Sequence, residues 1–112
     1  MPEATIDRVW NVMLVGVGGQ GVVLASDILA AAALEAGLDV KKSEIHGMSQ
    51  RGGSVFSHVR FGPTVHSPTI PYGEVDVLYS LERIEALRWA GWARQGAAVC
   101  YVDHVIHPYG VK

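Results

Sequence analysis

The hydrophobic pattern of the first third of the chain changes at a glycine-rich turn. Residues 9–17 are mostly apolar without alternation, which is typical of a strand buried on both faces of a parallel sheet. Residues 22–36 are rich in alanine and predict a helix, which Gly37 would cap. The broad apolar face expected to pack on the core consists of Leu24, Ile28, Ala31, Ala32 and Leu34. Strand, turn and helix form the first half of a doubly wound α/β unit.

Two further strands are predicted at residues 38–44 and 53–61, joined by a polar loop at 45–52. The second of them alternates like a half-exposed strand. A parallel pair needs a crossover of roughly a dozen residues, and no helix-length segment separates these strands. If they are neighbours we therefore expect them to run antiparallel, within a mixed sheet.

The remaining pattern predicts a proline-containing irregular stretch at 62–73, a buried strand at 75–81, a helix at 82–93 and a strand at 97–102. Ile84, Leu87 and Gly91 would share one side of that helix, and Gly96 would cap its end. We expect residues 1–112 to form one domain of the α/β class, a three-layer doubly wound fold with a mixed, mostly parallel sheet.

Composition narrows the class of protein. The chain is 49% hydrophobic with a net charge of -2, which suits a packed core and argues against nucleic-acid or polybasic membrane partners. Cys100 is the single cysteine, so neither an internal disulfide nor an iron–sulfur cluster is expected. The start lacks the pattern of a signal peptide and no apolar run reaches the roughly 18 residues of a membrane span, so we expect a cytoplasmic protein.

The first candidate site is the turn after the first strand. Its G-x-G-x-x-G pattern comprises Gly16, Gly18, Gly19, Gln20 and Gly21. Glycines permit a tight turn, and the following helix would offer free N–H groups to an anion. Three interpretations stay open: a dinucleotide site with Glu44 as the ribose ligand, a site for another anion or cofactor, or glycines that serve packing alone.

The second candidate site follows the second strand, where ligands of open α/β sheets gather. Its polar and glycine residues are Glu44, His46, Ser49, Arg51, Gly52 and Gly53. Arg51 could bind a phosphate or carboxylate in bidentate fashion, and the glycines would let the backbone approach a partner. Alternatively, Glu44 and Arg51 pair with each other or with a neighbouring subunit, and His46 is a hydrogen-bonded loop residue.

Other polar and aromatic residues suggest no catalytic or metal site. We expect His58 to lie on a solvated strand face and Cys100 to be a small buried hydrophobe. Trp89 and Trp92 are either core residues or an exposed anchor for a partner, and we favour the anchor.

Three segments carry a resemblance to a known family: GVGGQGVVLASDILA, SEIHGMSQRGGSVFSHVRFG and EVDVLYSLERIEALR. Together they resemble the gamma subunit or domain of 2-oxoacid:ferredoxin oxidoreductases, with Rossmann-like topology, and most of all the beta subunit of the indolepyruvate enzymes. The similarity spans about residues 10 to 108, and residues 18–21 and 46–53 match the family's motifs.

This resemblance implies a component of a complex that oxidatively decarboxylates a 2-oxoacid to an acyl-CoA and reduces ferredoxin. Thiamine diphosphate, iron–sulfur clusters and CoA are expected in the whole complex and none on this chain alone. The implied partners are the thiamine- and cluster-binding subunits, and ferredoxin through them. Because such family members continue past this segment, we expect a C-terminally truncated domain whose uncovered surfaces associate with partner subunits or with itself.

Two alternatives remain beside the complex component. An independent NAD(P)- or nucleotide-binding module would bind nucleotide through residues 16–21 and Glu44. A stand-alone assembly fragment would bind no ligand and would only self-associate.

Overall fold

A computed structural model describes residues 6–17, 21–46 and 54–102 of the chain. Within them, five strands and two helices follow one another, with one short 3-10 turn. They are β1 (Trp10–Val17), α1 (Val22–Glu35), β2 (Asp39–His46), β3 (Ser54–Gly62), β4 (Val75–Ser80), α2 (Arg83–Trp89), the 3-10 turn (Ala90–Trp92) and β5 (Ala93–Tyr101). The α/β class predicted from the sequence is confirmed.

The strands form one sheet in the order β2-β3-β1-β4-β5. β3 runs antiparallel to both of its neighbours, whereas β1, β4 and β5 are parallel to one another. β2 is antiparallel to β3 and therefore points the same way as β1. The mixed, mostly parallel sheet and the antiparallel pairing of the second and third strands are confirmed, because a short connection permits a hairpin-like return and not a parallel crossover.

β1 lies at the centre of the sheet and divides the core into two halves. Met13 and Val15 pack with Leu78 on the face that α2 covers. Val12 and Leu14 pack on the opposite face with Val22 of α1. Since successive side chains of a strand point to opposite faces, the apolar run predicts this double burial. Helices on both faces give the predicted three layers.

Both ends of α1 depend on a glycine with positive φ. Gly21 precedes the helix with φ 85°, and Gly37 follows it with φ 85°. The N–H of Gly37 donates to the carbonyl of Leu34 and that of Leu38 to Ala33, at 3.0 and 3.1 Å. These two bonds form a Schellman motif, so the predicted glycine cap is confirmed.

The prediction of which face of α1 packs on the core is wrong. Leu24, Ile28 and Leu34 are 64%, 62% and 60% exposed, and Ala31 and Ala32 are exposed with them. The helix instead buries a stripe that lies against β1, β2 and β3. This stripe contains Val22, Ala25, Ser26, Leu29, Ala30 and Ala33. Because α1 is apolar almost all round, its sequence has no polar side to mark the solvent face.

The second helix is shorter than predicted, and its tryptophans have a different role. α2 ends at Trp89 and the chain continues in a 3-10 turn to Trp92. Both rings pack on the core beside Phe56, with the Phe56 and Trp89 ring centroids 4.6 Å apart. The prediction that Trp89 and Trp92 form an exposed anchor for a partner is therefore wrong. By contrast, Ile84 and Leu87, predicted to share a side with Gly91, are exposed.

His58 is buried, which corrects its predicted place on a solvated face. It is 4% exposed, and its Nδ1 accepts the N–H of Ile70 at 3.1 Å. Burial lowers the pKa of the imidazole, with a smaller contribution from the charge of Arg60. Ile70 of the irregular stretch packs with Met13, the sheet partner of His58, so this stretch covers the face of β3 on which His58 lies.

β5 is one of the two edge strands of the sheet and is largely exposed. Cys100 is exposed, contrary to the prediction of a buried hydrophobe. Gly96 does not cap a helix; it lies within β5 with φ 81°, where the pairing with β4 is irregular between Val75 and Val77. A bulge of this kind needs the conformational freedom of glycine.

Candidate functional site at the carboxyl edge of the sheet

Four strands end at one edge of the sheet, and β3 begins there. Val17, the last residue of β1, pairs with Ser54, and His46, the last residue of β2, pairs with Val55. The residues that flank the two predicted site segments therefore lie on adjacent strands, about 4.8 Å apart across each pair. Seven predicted site residues lie outside the described residues: Gly18, Gly19, Gln20, Ser49, Arg51, Gly52 and Gly53.

Two glycines of the first motif belong to the described residues. Gly16 is buried in β1 opposite Val55. Gly21 introduces α1, and its carbonyl accepts the N–H of Ala25 at 2.9 Å. Among the residues that the structure describes, no side chain caps the amino end of α1. This end carries free N–H groups and the positive end of the helix dipole, so it favours an anion.

Glu44 is engaged by a lysine of its own strand. Lys42 Nζ donates to Glu44 Oε1 at 2.6 Å and also to Asp27 of α1. Hydrogen bonds to Asp27 and to Glu44 raise the pKa of Lys42, which stays charged. Glu44 therefore pairs with Lys42 of its own strand among the described residues, and the contact of Lys42 with Asp27 ties β2 to α1.

The sheet order does not support the dinucleotide alternative. In a classic dinucleotide fold the second strand is adjacent to the first, which brings its terminal acid to the ribose. Here β3 lies between β1 and β2, so Glu44 is two strand spacings, about 10 Å, from β1. His46 is the last residue of β2 and pairs with Val55, so it is also two strand spacings from β1.

Two buried carboxylates at this edge were missed in the sequence. Glu82 is 1% exposed and follows β4, and its Oε1 accepts the N–H of Glu85 at 2.7 Å. Glu85 is 3% exposed and contacts Arg88 Nε at 2.9 Å. The sequence did contain a signal for Glu82, which follows a buried strand and begins a predicted helix. Acids at such positions cap the helix and lie at the ligand-binding edge of α/β sheets.

Ser80 links the end of β4 to these acids and to the neighbouring strands. Its hydroxyl accepts the N–H of Glu82 at 3.2 Å, and it is fully buried. The N–H of Leu81 donates to the carbonyl of Val15, and the N–H of Val102 donates to that of Ser80, both at 3.0 Å. These bonds join β1, β4 and β5 at the edge and hold the backbone that precedes the two carboxylates.

The described residues do not fit an iron–sulfur cluster or a metal site. In residues 6–17, 21–46 and 54–102, no group of three or more His, Cys, Asp or Glu side chains could hold a metal ion. The one thiol of the chain, Cys100, is far short of the roughly four ligands that a cluster needs. Over the same ranges, neither helix has the length and apolarity to cross a membrane.

Comparison with known proteins identifies the family. The model of the pyruvate ferredoxin/flavodoxin oxidoreductase family matches residues 11–112. This chain belongs to that family. The resemblance that the three sequence segments carry is thereby confirmed.

Several relatives are named indolepyruvate oxidoreductase subunit IorB. The protein of Pyrococcus horikoshii is 47% identical over 103 residues, which are 92% of this chain and 51% of that protein. The protein of Archaeoglobus fulgidus is 48% identical over 101 residues, 90% of this chain and 50% of its own length. The chain thus spans about half the length of these relatives.

Solved structures share the fold. The gamma subunit of a keto/oxoacid ferredoxin oxidoreductase from Geobacter sulfurreducens superposes with a TM-score of 0.66 at 26% identity, covering 82% of this chain and 50% of that chain. The 2-oxoglutarate:ferredoxin oxidoreductase of Magnetococcus marinus has a TM-score of 0.76 at 20% identity, covering 95% of this chain and 18% of that one. At the second identity, the likeness concerns the fold alone.

Proposed function

We propose that this chain is a gamma-type component of a 2-oxoacid:ferredoxin oxidoreductase whose substrate is an aryl pyruvate. The observation that carries this proposal is the identity of 47% to the indolepyruvate oxidoreductase subunit of Pyrococcus horikoshii across 92% of the chain. The complex decarboxylates the oxoacid oxidatively, forms an acyl-CoA and passes the electrons to ferredoxin.

The redox and thiamine chemistry belongs to the partner subunits in this proposal. The single thiol and the lack of a metal-ligand group among the described residues support a role without a cluster. When bound in the complex, thiamine diphosphate supplies the carbanion chemistry and the clusters accept the electrons. The specific partners are the subunits that hold these two cofactors.

The carboxyl edge of the sheet is the part of this chain that would meet the partner subunits. Gly16, Gly21, Glu44 and His46 lie on elements that end or begin there, and the buried Glu82 adds a fixed carboxylate. The remaining predicted residues belong to the two segments that start from the same edge. We assign them contact with a partner subunit or with a cofactor phosphate, which the free amino end of α1 would favour.

Co-purification tests the proposal directly. The tagged chain, expressed in its native host, is expected to recover a thiamine- and cluster-containing subunit that reduces ferredoxin or a viologen dye with indolepyruvate and CoA. Pyruvate and 2-oxoglutarate serve as competing substrates. Recovery of the chain alone, folded and binding NAD(H), would contradict the proposal and revive the nucleotide-binding alternative.

Arg51→Ala tests the second glycine segment within this complex. We expect loss of assembly or of turnover without loss of the fold, because Arg51 is the cation of that segment. Lys41→Ala is the matched control, since Lys41 is a half-exposed cation in β2 that pairs with Asp39. Unchanged activity of the reconstituted Arg51→Ala complex would remove this residue from the site.

A further inference from the structure

The edge of the sheet opposite the candidate site contains a cavity of about 560 Å³ that arginines line. It lies where β1, β4 and β5 begin and where β3 ends. The polar residues of its wall are Arg8, Asn11, Arg60, Glu74, Asp76 and Arg94. None of these residues has a role in the function proposed above.

Asp76 organises one side of this cavity. Its side chain is 2% exposed, and each of its oxygens accepts a hydrogen bond from Arg8, at 3.2 Å. Arg94 Nε donates to Oδ1 at 2.5 Å, and the N–H of Asn11 donates to Oδ2 at 2.8 Å. Burial would raise the pKa of Asp76, but the bonds from Arg8, Arg94 and Asn11 outweigh it and hold the pKa below its ordinary value.

Arg60 forms the other side and meets only neutral acceptors. Its Nε donates to Asn11 Oδ1 at 2.8 Å. Its Nη1 donates to the carbonyls of Ser67 and Thr69 at 3.0 and 3.1 Å. Asn11, which is 7% exposed, therefore bridges Arg60 to the group around Asp76. These bonds hold the guanidinium in a fixed position on the cavity wall.

The positive charge of the wall exceeds its negative charge. Three guanidinium groups face two carboxylates, and Asp76 already accepts four hydrogen bonds. Within the described part of the chain, Nη2 of Arg60 and Nη2 of Arg94 have no acceptor. Arg60 and Arg94 thus line one cavity, and each has a guanidinium nitrogen with donors to spare. Guanidinium groups with spare donors can bind a multi-oxygen anion.

We propose that this cavity binds a phosphate group, held by Arg60 and Arg94 with Arg8 adding charge. A tetrahedral phosphate has enough oxygens to accept from two guanidinium forks at once, whereas chloride cannot use their planar geometry. The fixed positions of Arg60 and Arg94, set by Asn11 and Asp76, reduce the entropy that binding would otherwise lose. The group comes either as inorganic phosphate or as the phosphate of a small ester.

The test is a titration of the full ¹⁵N-labelled chain with inorganic phosphate, and separately with glycerol phosphate, at constant ionic strength kept with chloride. We expect saturable shifts of the amide signals of Asn11, Arg60 and Arg94, with a dissociation constant on the order of a millimolar. Tighter binding of glycerol phosphate would identify an organic phosphate as the ligand. Tighter binding of inorganic phosphate would identify the free ion. Shifts that chloride reproduces, or the absence of saturation with both compounds, would overturn the proposal.

Arg60→Gln is the decisive variant, because Arg60 makes no bond to the buried Asp76 and its loss leaves that carboxylate paired. We expect its dissociation constant to rise about tenfold or more, as hydrogen bonds from a charged donor are lost. Arg60→Lys keeps the charge without the planar fork, so its dissociation constant should lie between those of Arg60→Gln and the wild type. Arg88→Gln, an exposed arginine outside the cavity wall, is the matched control.

Unchanged affinity in Arg60→Gln, or an equal loss in Arg88→Gln, would contradict the assignment. Signal dispersion in the same spectra reports whether each variant is folded. If Arg60→Gln does not fold, Arg60→Lys carries the comparison, because it retains the cation. Unchanged affinity in a folded Arg60→Lys would then refute a role for the guanidinium fork.

Discussion

Four paired residues on one face of the sheet differ in exposure between the central strands and the edge strand β5. His58, Met13, Leu78 and Val99 pair in sequence across β3, β1, β4 and β5. The first three are 4%, 0% and 0% exposed, whereas Val99 is 46% exposed. All four lie on the same face, because paired residues of adjacent strands point the same way.

The contrast shows that burial here follows the position of a strand and not its composition. β5 contains residues 97–101 of an apolar run that resembles a buried strand. It is the last strand of the order, so α2 and the tryptophans cover β1 and β4 but leave most of β5 exposed. The exposed Cys100 and Tyr101 belong to the same edge.

The largest expected effect is that of Leu78→Ala in the covered part of the sheet. Leu78 is fully buried between Met13, Val15 and Val75, so truncation leaves a cavity in the core. We expect the free energy of unfolding to fall by about 2–5 kcal/mol. Urea denaturation followed by circular dichroism measures the change. A loss below about 1 kcal/mol would mean that the covered part is not the tightly packed core described above.

Asp76→Asn tests the link that holds β5 to the centre of the sheet, since Asp76 of β4 binds Arg94 of β5. We expect a loss of about 1.5–3 kcal/mol from weakened charged hydrogen bonds. The pKa of Asp76 is lowered, so its stabilisation is complete above the ordinary value of 3.8 and disappears as the pH falls through the folded-state pKa. Acid denaturation of the variant should lack this component, and an unchanged acid transition would contradict the role of Asp76.

His58→Asn tests the burial of this face at β3. Because burial lowers the pKa of His58, the folded state resists protonation, and stability should fall as the pH drops below the ordinary value of 6.5. Below the folded-state pKa the loss is complete. The asparagine retains an acceptor for the N–H of Ile70 but does not titrate. Urea denaturation at pH 7 and pH 5 should show a smaller difference for the variant than for the wild type.

Val99→Ala is expected to have the smallest effect, about 0.5 kcal/mol or less, since half of the side chain is already in water. It is the control for Leu78→Ala, its direct partner in the sheet. A loss comparable to that of Leu78→Ala would break the comparison, because it would show that β5 is covered in solution. The same urea experiment at two protein concentrations distinguishes cover by a second copy from cover by the chain itself.

The sequence by itself determined the local elements and the family. Apolar runs fixed β1 and β4, the positive-φ glycines Gly21 and Gly37 fixed the ends of α1, and the short connection fixed the antiparallel pairing of β2 with β3. It also predicted two candidate site segments next to strand ends that the topology brings to one edge of the sheet. These features depend on backbone conformation and on neighbours close in sequence.

Only the tertiary structure decided which apolar surfaces are covered. It exposed Leu24 and Ile28 of α1, buried His58 and packed two partly buried tryptophans on the core. It also revealed the Glu82–Glu85 and Asp76 groups. A nearly all-apolar helix has no polar side to indicate its orientation, and the order of strands depends on pairings between residues far apart in the chain. The burial of α1, β3 and β5 depends on those distant pairings, so their local patterns did not reveal it.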